Sequence, residues 1–269
     1  MNKTQQSVLF DIEKFQDALS TRWLGSEFLF VEQTHSTNTV LKNKPGDQIS
    51  HGTVLLADAQ QQGRGQYNRR WESEPGKNLT FTIAFKPPRA DRLPLLTLAT
   101  GEAINRVFSD VTNRRFQIKW PNDLVCGGKK AGGLLTESIF NGQNVERVLI
   151  GIGLNICQTS FNHELSMTAT SLSLVAGRPL EREVLLADIL QRIEEAYQKW
   201  HKYDDSLLHT VNRNLIGYGK WVNISIDGET MDERVKFLGI NEKGQLVILT
   251  HNYEVRTFSY EQIRIHPDD

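Results

Sequence analysis

The apolar positions of this chain fall into a few separate patterns, and each pattern predicts an element. Residues 1 to about 30 are weakly patterned and read as a lead-in, too short for a domain of their own. Ser36-Thr37-Asn38 then offers hydroxyl and amide caps ahead of a helical turn through Val40 and Leu41. Thr53 to Ala57 is the continuous apolar run of a buried strand. Asn78 to Phe85 (NLTFTIAF) alternates as a strand should. A helix is predicted over Asp91 to Asn113, with Pro94 near its start and Leu96, Ala99, Ala103 and Val107 on one face.

Phe116 to Trp120 predicts a strand that Pro121 stops. Leu134 to Phe140 and Arg147 to Ile156 predict two more, joined at the Asn141-Gly142 turn. The clearest helical periodicity spans Arg182 to Trp200, through Leu186, Ile189, Leu190, Ile193, Tyr197 and Trp200. Past Ile216 the texture changes to short strand-like runs: Trp221 to Ile226, Arg234 to Ile240, Leu246 to Thr250 and Tyr253 to Phe258. Asp227-Gly228, Glu242-Lys243-Gly244 and His251-Asn252 separate them, and a small barrel is the expected result. The chain is thus expected to divide into residues 1–214 and 215–269, with no repeat or low-complexity tract.

Composition narrows the partners. A chain of 269 residues, 39% hydrophobic, can bury a sizeable core. Lys+Arg number 31 against 32 Asp+Glu, a net charge of −1, which disfavours a globally basic nucleic-acid binder but permits a local cationic patch. Cys126 and Cys157 form no CxxC pair and are too few for a disulfide framework. The N-terminal MNKTQQSVLFDIEKF lacks the apolar core of a secretory signal, and no run approaches the ~20 apolar residues of a membrane span. A soluble, cytoplasmic protein with no membrane partner is expected.

Three stretches carry chemistry. GRGQYNRRW, Gly63 to Trp71, sets Arg64, Arg69 and Arg70 among glycines, either as an anion clamp or as a solvated surface loop. KWPND, Lys119 to Asp123, ends a strand in a turn bearing an amide and a carboxylate; alone, Asp123 reads as well as a turn residue. KKAGGLLTE places Lys130 before small residues that admit close backbone approach, and GIGLN follows at Gly151. Lys130 stands where a Walker A loop needs Ser or Thr, and GIGLNI lacks the third glycine of a dinucleotide fingerprint. The seven histidines show no HExxH spacing and no GxSxG is present, so zinc and serine-nucleophile chemistry are disfavoured.

Taken in order, STN at 36–38, QQQGRG at 60–65, Trp71, KWPND, KKAGGLLTE and GIGLN resemble the biotin–protein ligase family. The resemblance implies an α/β (α+β) fold: a mixed-sheet catalytic domain related to class II aminoacyl-tRNA synthetases, with a C-terminal SH3-like β-barrel. It implies that biotin and ATP, with Mg²⁺, give biotinyl-adenylate, and that a lysine of a biotin carboxyl carrier protein domain then takes the biotinyl group. Arg64, Lys130 and Asp123 are the implied catalytic residues. Ser36, Thr37, Asn38, Gln60, Gly63, Arg64, Gly65, Lys130 and Gly133 would hold biotin. Trp71, Lys119, Asn122 and Asn155 would hold the nucleotide, with Asp123 and Asn155 at the metal.

The glycine–arginine loop would act as a lid. Many relatives carry a basic residue where this chain has Gln66, which bears on how long the adenylate is retained. Repressor relatives carry an N-terminal DNA-binding domain that ~30 residues cannot hold, so no DNA partner is expected. The resemblance leaves monomer and homodimer open. A lipoate–protein ligase and a non-catalytic biotin or nucleotide module are the rival readings.

Overall fold

The computed structural model describes residues 9–66, 69–259 and 263–266; Tyr67 and Asn68 of the glycine–arginine loop lie outside them, as do the first eight residues. Its α-helices and strands follow in chain order. They are α1 (Ile12–Ala18), β1 (Phe28–Thr34), α2 (Thr37–Asn43), β2 (Thr53–Gln60), β3 (Leu79–Phe85), α3 (Leu93–Thr112), β4 (Gln117–Lys119), β5 (Asp123–Cys126), β6 (Lys129–Asn141) and β7 (Asn144–Leu154). Then come α4 (Leu172–Ala176), α5 (Arg182–His201), α6 (Asp205–Asn214), β8 (Trp221–Ile226), β9 (Glu229–Thr230), β10 (Val235–Ile240), β11 (Leu246–Leu249), β12 (Val255–Phe258) and β13 (Ile263–His266).

The first seven strands form one mixed sheet, ordered β1-β2-β3-β7-β6-β5-β4, in which only β1 and β2 run parallel. Alternation sorts its two faces. Val54 and Leu56, then Phe81, Ile83 and Phe85, then Ile150, Ile152 and Leu154 point into the main core with α3 and α5. The intervening Leu55, Ala84 and Leu149 meet Leu41 of α2 on the other face. Large side chains therefore fill one face. Beyond α2 the second face carries small ones, and there a cavity opens.

The predicted strands and long helices are present, with shifted ends. The lead-in is structured: α1 is capped by Asp11, whose side chain accepts from Lys14 N–H, and β1 forms the sheet edge. An edge strand is half-exposed and needs no strict alternation, which is why β1 escapes a reading by period. The sequence reading also omits β5, α4, α6, β9 and β13, each ten residues or shorter.

Two buried carboxylates tie distant elements. Asp58 of β2 meets Arg182 of α5 at 2.8 Å, both nearly fully buried. Glu194 accepts the backbone N–H groups of Arg22, Trp23 and Leu24, pinning the turn before β1. The second sheet, β12-β11-β10-β8-β13 with β9 beside β8, is seated on α3 and α6. Asn212 of α6 accepts from Ile240 N–H at 2.7 Å and donates to its carbonyl at 3.3 Å, and Arg92 Nε donates to the Glu242 carbonyl. Gly239, at φ 100°, lies against the Asn212 amide, where a Cβ would collide.

His51 sits among Trp23, Phe85 and Tyr197, with ring centroids 4.5, 5.9 and 5.0 Å away, and its Nδ1 accepts the Lys86 N–H at 2.9 Å. Burial, then the charges of His201 and Lys86, hold its pKa below the ordinary 6.5.

Two outcomes are expected. Asp58→Ala removes the 2.8 Å carboxylate partner of buried Arg182 and lowers unfolding stability by about 3–5 kcal/mol, read from urea midpoints. For His51, the unfolded chain takes up a proton before the folded one does. Stability present above pH ~6.5 is therefore lost as pH falls through the lower folded value. His51→Phe, which cannot protonate, is less stable near neutrality and shows a shallower acid decline in urea midpoint.

Candidate active site

The site is laid out by register. Val31, Ala57, Thr80, Gly153, Gly133, Asp123 and Lys119 are paired neighbour to neighbour, one residue from each of the seven strands. Leu55, Thr82, Gly151 and Leu135 form the next row on that face. At the three glycines the floor is bare backbone. A Cβ on Gly151 would strike the Asn38 amide, and one on Gly153 would strike the Trp71 indole. Above this floor lies a cavity of about 820 Å³, walled by the start of α2, the glycine–arginine loop, the KWPND turn, the 158–169 segment and β13.

One end is a network of neutral polar groups. Thr37 N–H donates to Gln60 Oε1 at 2.8 Å. Thr82 Oγ1 lies 2.7 Å from Thr37 Oγ1 and 2.6 Å from Asn38 Oδ1. Asn38 Nδ2 donates to Glu137 Oε2 at 2.9 Å and to the Leu135 carbonyl at 3.3 Å. Ser36 occupies the N-cap of α2, yet its hydroxyl makes no capping bond and faces the cavity.

The other end is charged. Lys130 Nζ meets Asp123 Oδ1 at 2.5 Å, directly over Gly133, where a Cβ would stand 3.2 Å from Nζ. Both side chains keep about a third of their exposure (39% and 30%), so the pair is open to a ligand. Trp71 rests against Gly153 with Lys130 Nζ 5.6 Å from its ring, and its buried Nε1 has no partner among the described residues. Lys119 lines the cavity from β4. Asn122 lines it too, but its Nδ2 is committed to the Leu134 carbonyl at 2.6 Å. Asn155 is buried at the margin, donating to the Thr170 carbonyl.

The loop is a miniature hairpin: Trp71 N–H bonds to the Gly63 carbonyl at 2.9 Å and Gly65 N–H to the Arg69 carbonyl at 2.7 Å. Gly63 is the one expected site residue that does not line the cavity. It lies beneath the Trp71 carbonyl, as the base of the hairpin. Gly65 and Arg64 do line it, and Arg64 Nη2 reaches Glu137 Oε2 at 2.9 Å and Thr39 Oγ1 at 3.2 Å. Thr80, Thr82, Glu137 and the β13 residues Arg264 and His266 went unread in the sequence. The threonines were visible as the polar alternates of NLTFTIAF; Glu137 ends the KKAGGLLTE motif without an evident partner there.

A model of the biotin/lipoate A/B protein ligase family matches residues 30–155. The bifunctional ligase/repressor BirA of Bacillus subtilis is 30% identical over 241 residues, spanning 87% of this chain and 72% of that protein. The chain belongs to the biotin/lipoate A/B protein ligase family. The biotin–protein ligase of Homo sapiens is 25% identical over 274 residues, 96% of this chain and 36% of that one. A structure of the biotin protein ligase from Aquifex aeolicus, in complex with biotin and ATP, aligns at TM-score 0.77 and 28% identity, over 90% of this chain and 100% of that one. The mixed sheet is thus the catalytic fold of biotin protein ligases, and the second sheet matches the family's SH3-like unit.

In this ligase-family site, Gly153→Ala is expected to fold, because its Cβ points into the cavity, and to lift the Trp71 indole off the floor. The overpacking costs about 1–3 kcal/mol. Tryptophan emission should shift to the red relative to wild type, and an unshifted spectrum would count against the contact.

Proposed function

We propose that the protein is a biotin–protein ligase, which activates biotin with ATP and passes the biotinyl group to a lysine of a biotin carboxyl carrier protein domain. The observation that carries this reading is the Lys130–Asp123 pair on the glycine floor, in one cavity with the polar recess and the arginine-bearing hairpin. The recess of Ser36, Thr37, Asn38 and Gln60 suits a ureido ring, which presents N–H donors beside a carbonyl acceptor. The bound carboxylate of biotin then lies toward Lys130, and Trp71, Lys119 and Asn155 stand on the nucleotide side.

In the first step a biotin carboxylate oxygen bonds to the α-phosphorus of ATP while the bond from that phosphorus to the pyrophosphate oxygen breaks. Two anions must approach each other, so the barrier is largely electrostatic. The Lys130 ammonium, held at the floor by Asp123, sits where it attracts both the carboxylate and a phosphoryl oxygen. Arg64 brings a second cation from above, and its hairpin shields the mixed anhydride from water. In the second step the carrier's lysine amine attacks the acyl carbon, the bond to the AMP oxygen breaks, and the amine's proton departs.

The donor set fits Mg²⁺ arriving with ATP: Asp123 uses one oxygen on Lys130, and Mg²⁺ prefers one or two carboxylates together with phosphate oxygens. Among the described residues no group of three His, Cys, Asp or Glu could hold a resident metal. Mg²⁺ when bound supplies charge neutralisation at the phosphates, with Asp123 and Asn155 the protein groups nearest to it in this reading. No helix among the described residues is long and apolar enough to cross a membrane. A cytoplasmic setting, and a division into residues 1–214 and 215–269, belong to the same proposal.

Exchange of labelled pyrophosphate into ATP tests the reading. Exchange is expected with biotin and not with lipoate. Lipoate-only exchange would make the protein a lipoate ligase, and tight biotin binding without exchange would make it a binding module. Lys130→Ala should lower biotin-dependent exchange by about 10²–10³-fold with an unchanged circular dichroism spectrum. Near wild-type exchange in that variant would remove the role given to Lys130.

A further inference from the structure

Glu137 stands on β6 two alternations beyond Gly133, on the same face of the sheet, opposite Leu149. Its side chain is 19% exposed and gathers three donors, two from α2 and one from the loop hairpin. Asn38 Nδ2 and Arg64 Nη2 both reach Oε2 at 2.9 Å, and Lys42 Nζ reaches Oε1 at 3.4 Å. Asn38 comes from α2 and Arg64 from the loop hairpin. One carboxylate thus joins the polar recess to the roof.

The consequence for the recess is a matter of hydrogen-bond direction. Ionised Glu137 can only accept, and so can the Leu135 carbonyl, so Asn38 must turn its Nδ2 toward them. Its Oδ1 then faces Thr82, whose hydroxyl donates to it at 2.6 Å. The same Thr82 hydroxyl also faces Thr37 Oγ1 at 2.7 Å, and the Thr37 hydroxyl donates in turn to Gln60 Oε1 at 3.2 Å. Gln60 Oε1 is already engaged by the Thr37 N–H, which leaves Gln60 presenting Nε2. Thr82 therefore donates to Asn38 and Asn38 to Glu137, while Thr37 donates to Gln60. Toward the cavity the recess shows oxygen lone pairs at Thr37 and an N–H at Gln60, which complements the N–H and carbonyl groups of a cyclic urea.

We propose that Glu137 is a positioning residue: it sets the hydrogen-bond polarity of the ring-recognition recess and, through the same oxygen, anchors the loop arginine. This rests on the biotin-ligase reading. It touches neither the reacting carboxylate nor the phosphate in that reading. Its loss is felt in recognition and loop order rather than in the chemical step.

The test uses Glu137→Ala and Glu137→Gln, each checked for folding by circular dichroism and thermal melting. Glu137→Ala removes the shorter of the two acceptors that orient the Asn38 amide, leaving only the Leu135 carbonyl at 3.3 Å. The KM for biotin in pyrophosphate exchange should rise on the order of tenfold, with kcat changed by less than about threefold. Glu137→Gln keeps an acceptor oxygen but no charge. Its biotin KM should stay within about threefold of wild type, while trypsin cuts at Arg64 faster than in wild type, because Arg64 has lost its ion pair. A folded Glu137→Ala with the wild-type biotin KM overturns the polarity role, and unchanged tryptic cleavage in Glu137→Gln overturns the anchoring role. A wild-type enzyme without biotin-dependent exchange overturns the ligase reading itself, so the two failures are told apart.

Discussion

The site depends on the pleat of one sheet. Because neighbouring residues point to opposite faces, β3, β6 and β7 can carry Phe81, Leu134 and Ile152 into the core while showing Thr80, Gly133 and Gly153 to the cavity. Burial on the far side fixes strand positions that the near side could not fix, having little apolar surface of its own. The floor is rigid because its reverse is packed. Functional groups gain precision when rigid elements carry them, and Asp123 and Lys130 stand on strands locked in this way.

Charge is then distributed against that floor. Asp123 holds Lys130 upright at one end, and Glu137 gathers Arg64, Asn38 and Lys42 at the other. Each acid is paired, and each pair keeps contact with solvent, so neither pays the desolvation penalty of a fully buried ion pair. Asp58–Arg182 is the contrast: sealed in the core, it ties β2 to α5 and has no part in the cavity. Two kinds of salt bridge, one structural and one exchangeable, lie on the same sheet, with β3 and β7 between them.

Much of this was legible in the residues, for physical reasons. Long elements with a full apolar face, such as α5 and β3, announce themselves by period. The cavity residues were found by motif, since glycine next to lysine, or proline before an amide and acid, has few purely structural uses in combination. The misses are equally physical. β1 and β13 are short or half-exposed, and β5 is four residues behind a proline turn. Glu137 could not be weighed, because its partners Asn38 and Arg64 lie 99 and 73 residues away in sequence. Asn122 and Gly63, expected at the ligand, take local partners that no motif announces: Asn122 lines the cavity while its Nδ2 donates to the Leu134 carbonyl, and Gly63 lies under the Trp71 carbonyl. Propensity carries no information about such pairings.

The roof hairpin closes on two main-chain bonds, Trp71 to Gly63 and Gly65 to Arg69. Neither bond uses the Gln66 side chain. Selection can vary the charge at that position without disturbing the turn, and Gln66 is one such setting. A change of charge at residue 66 leaves both closing bonds in place.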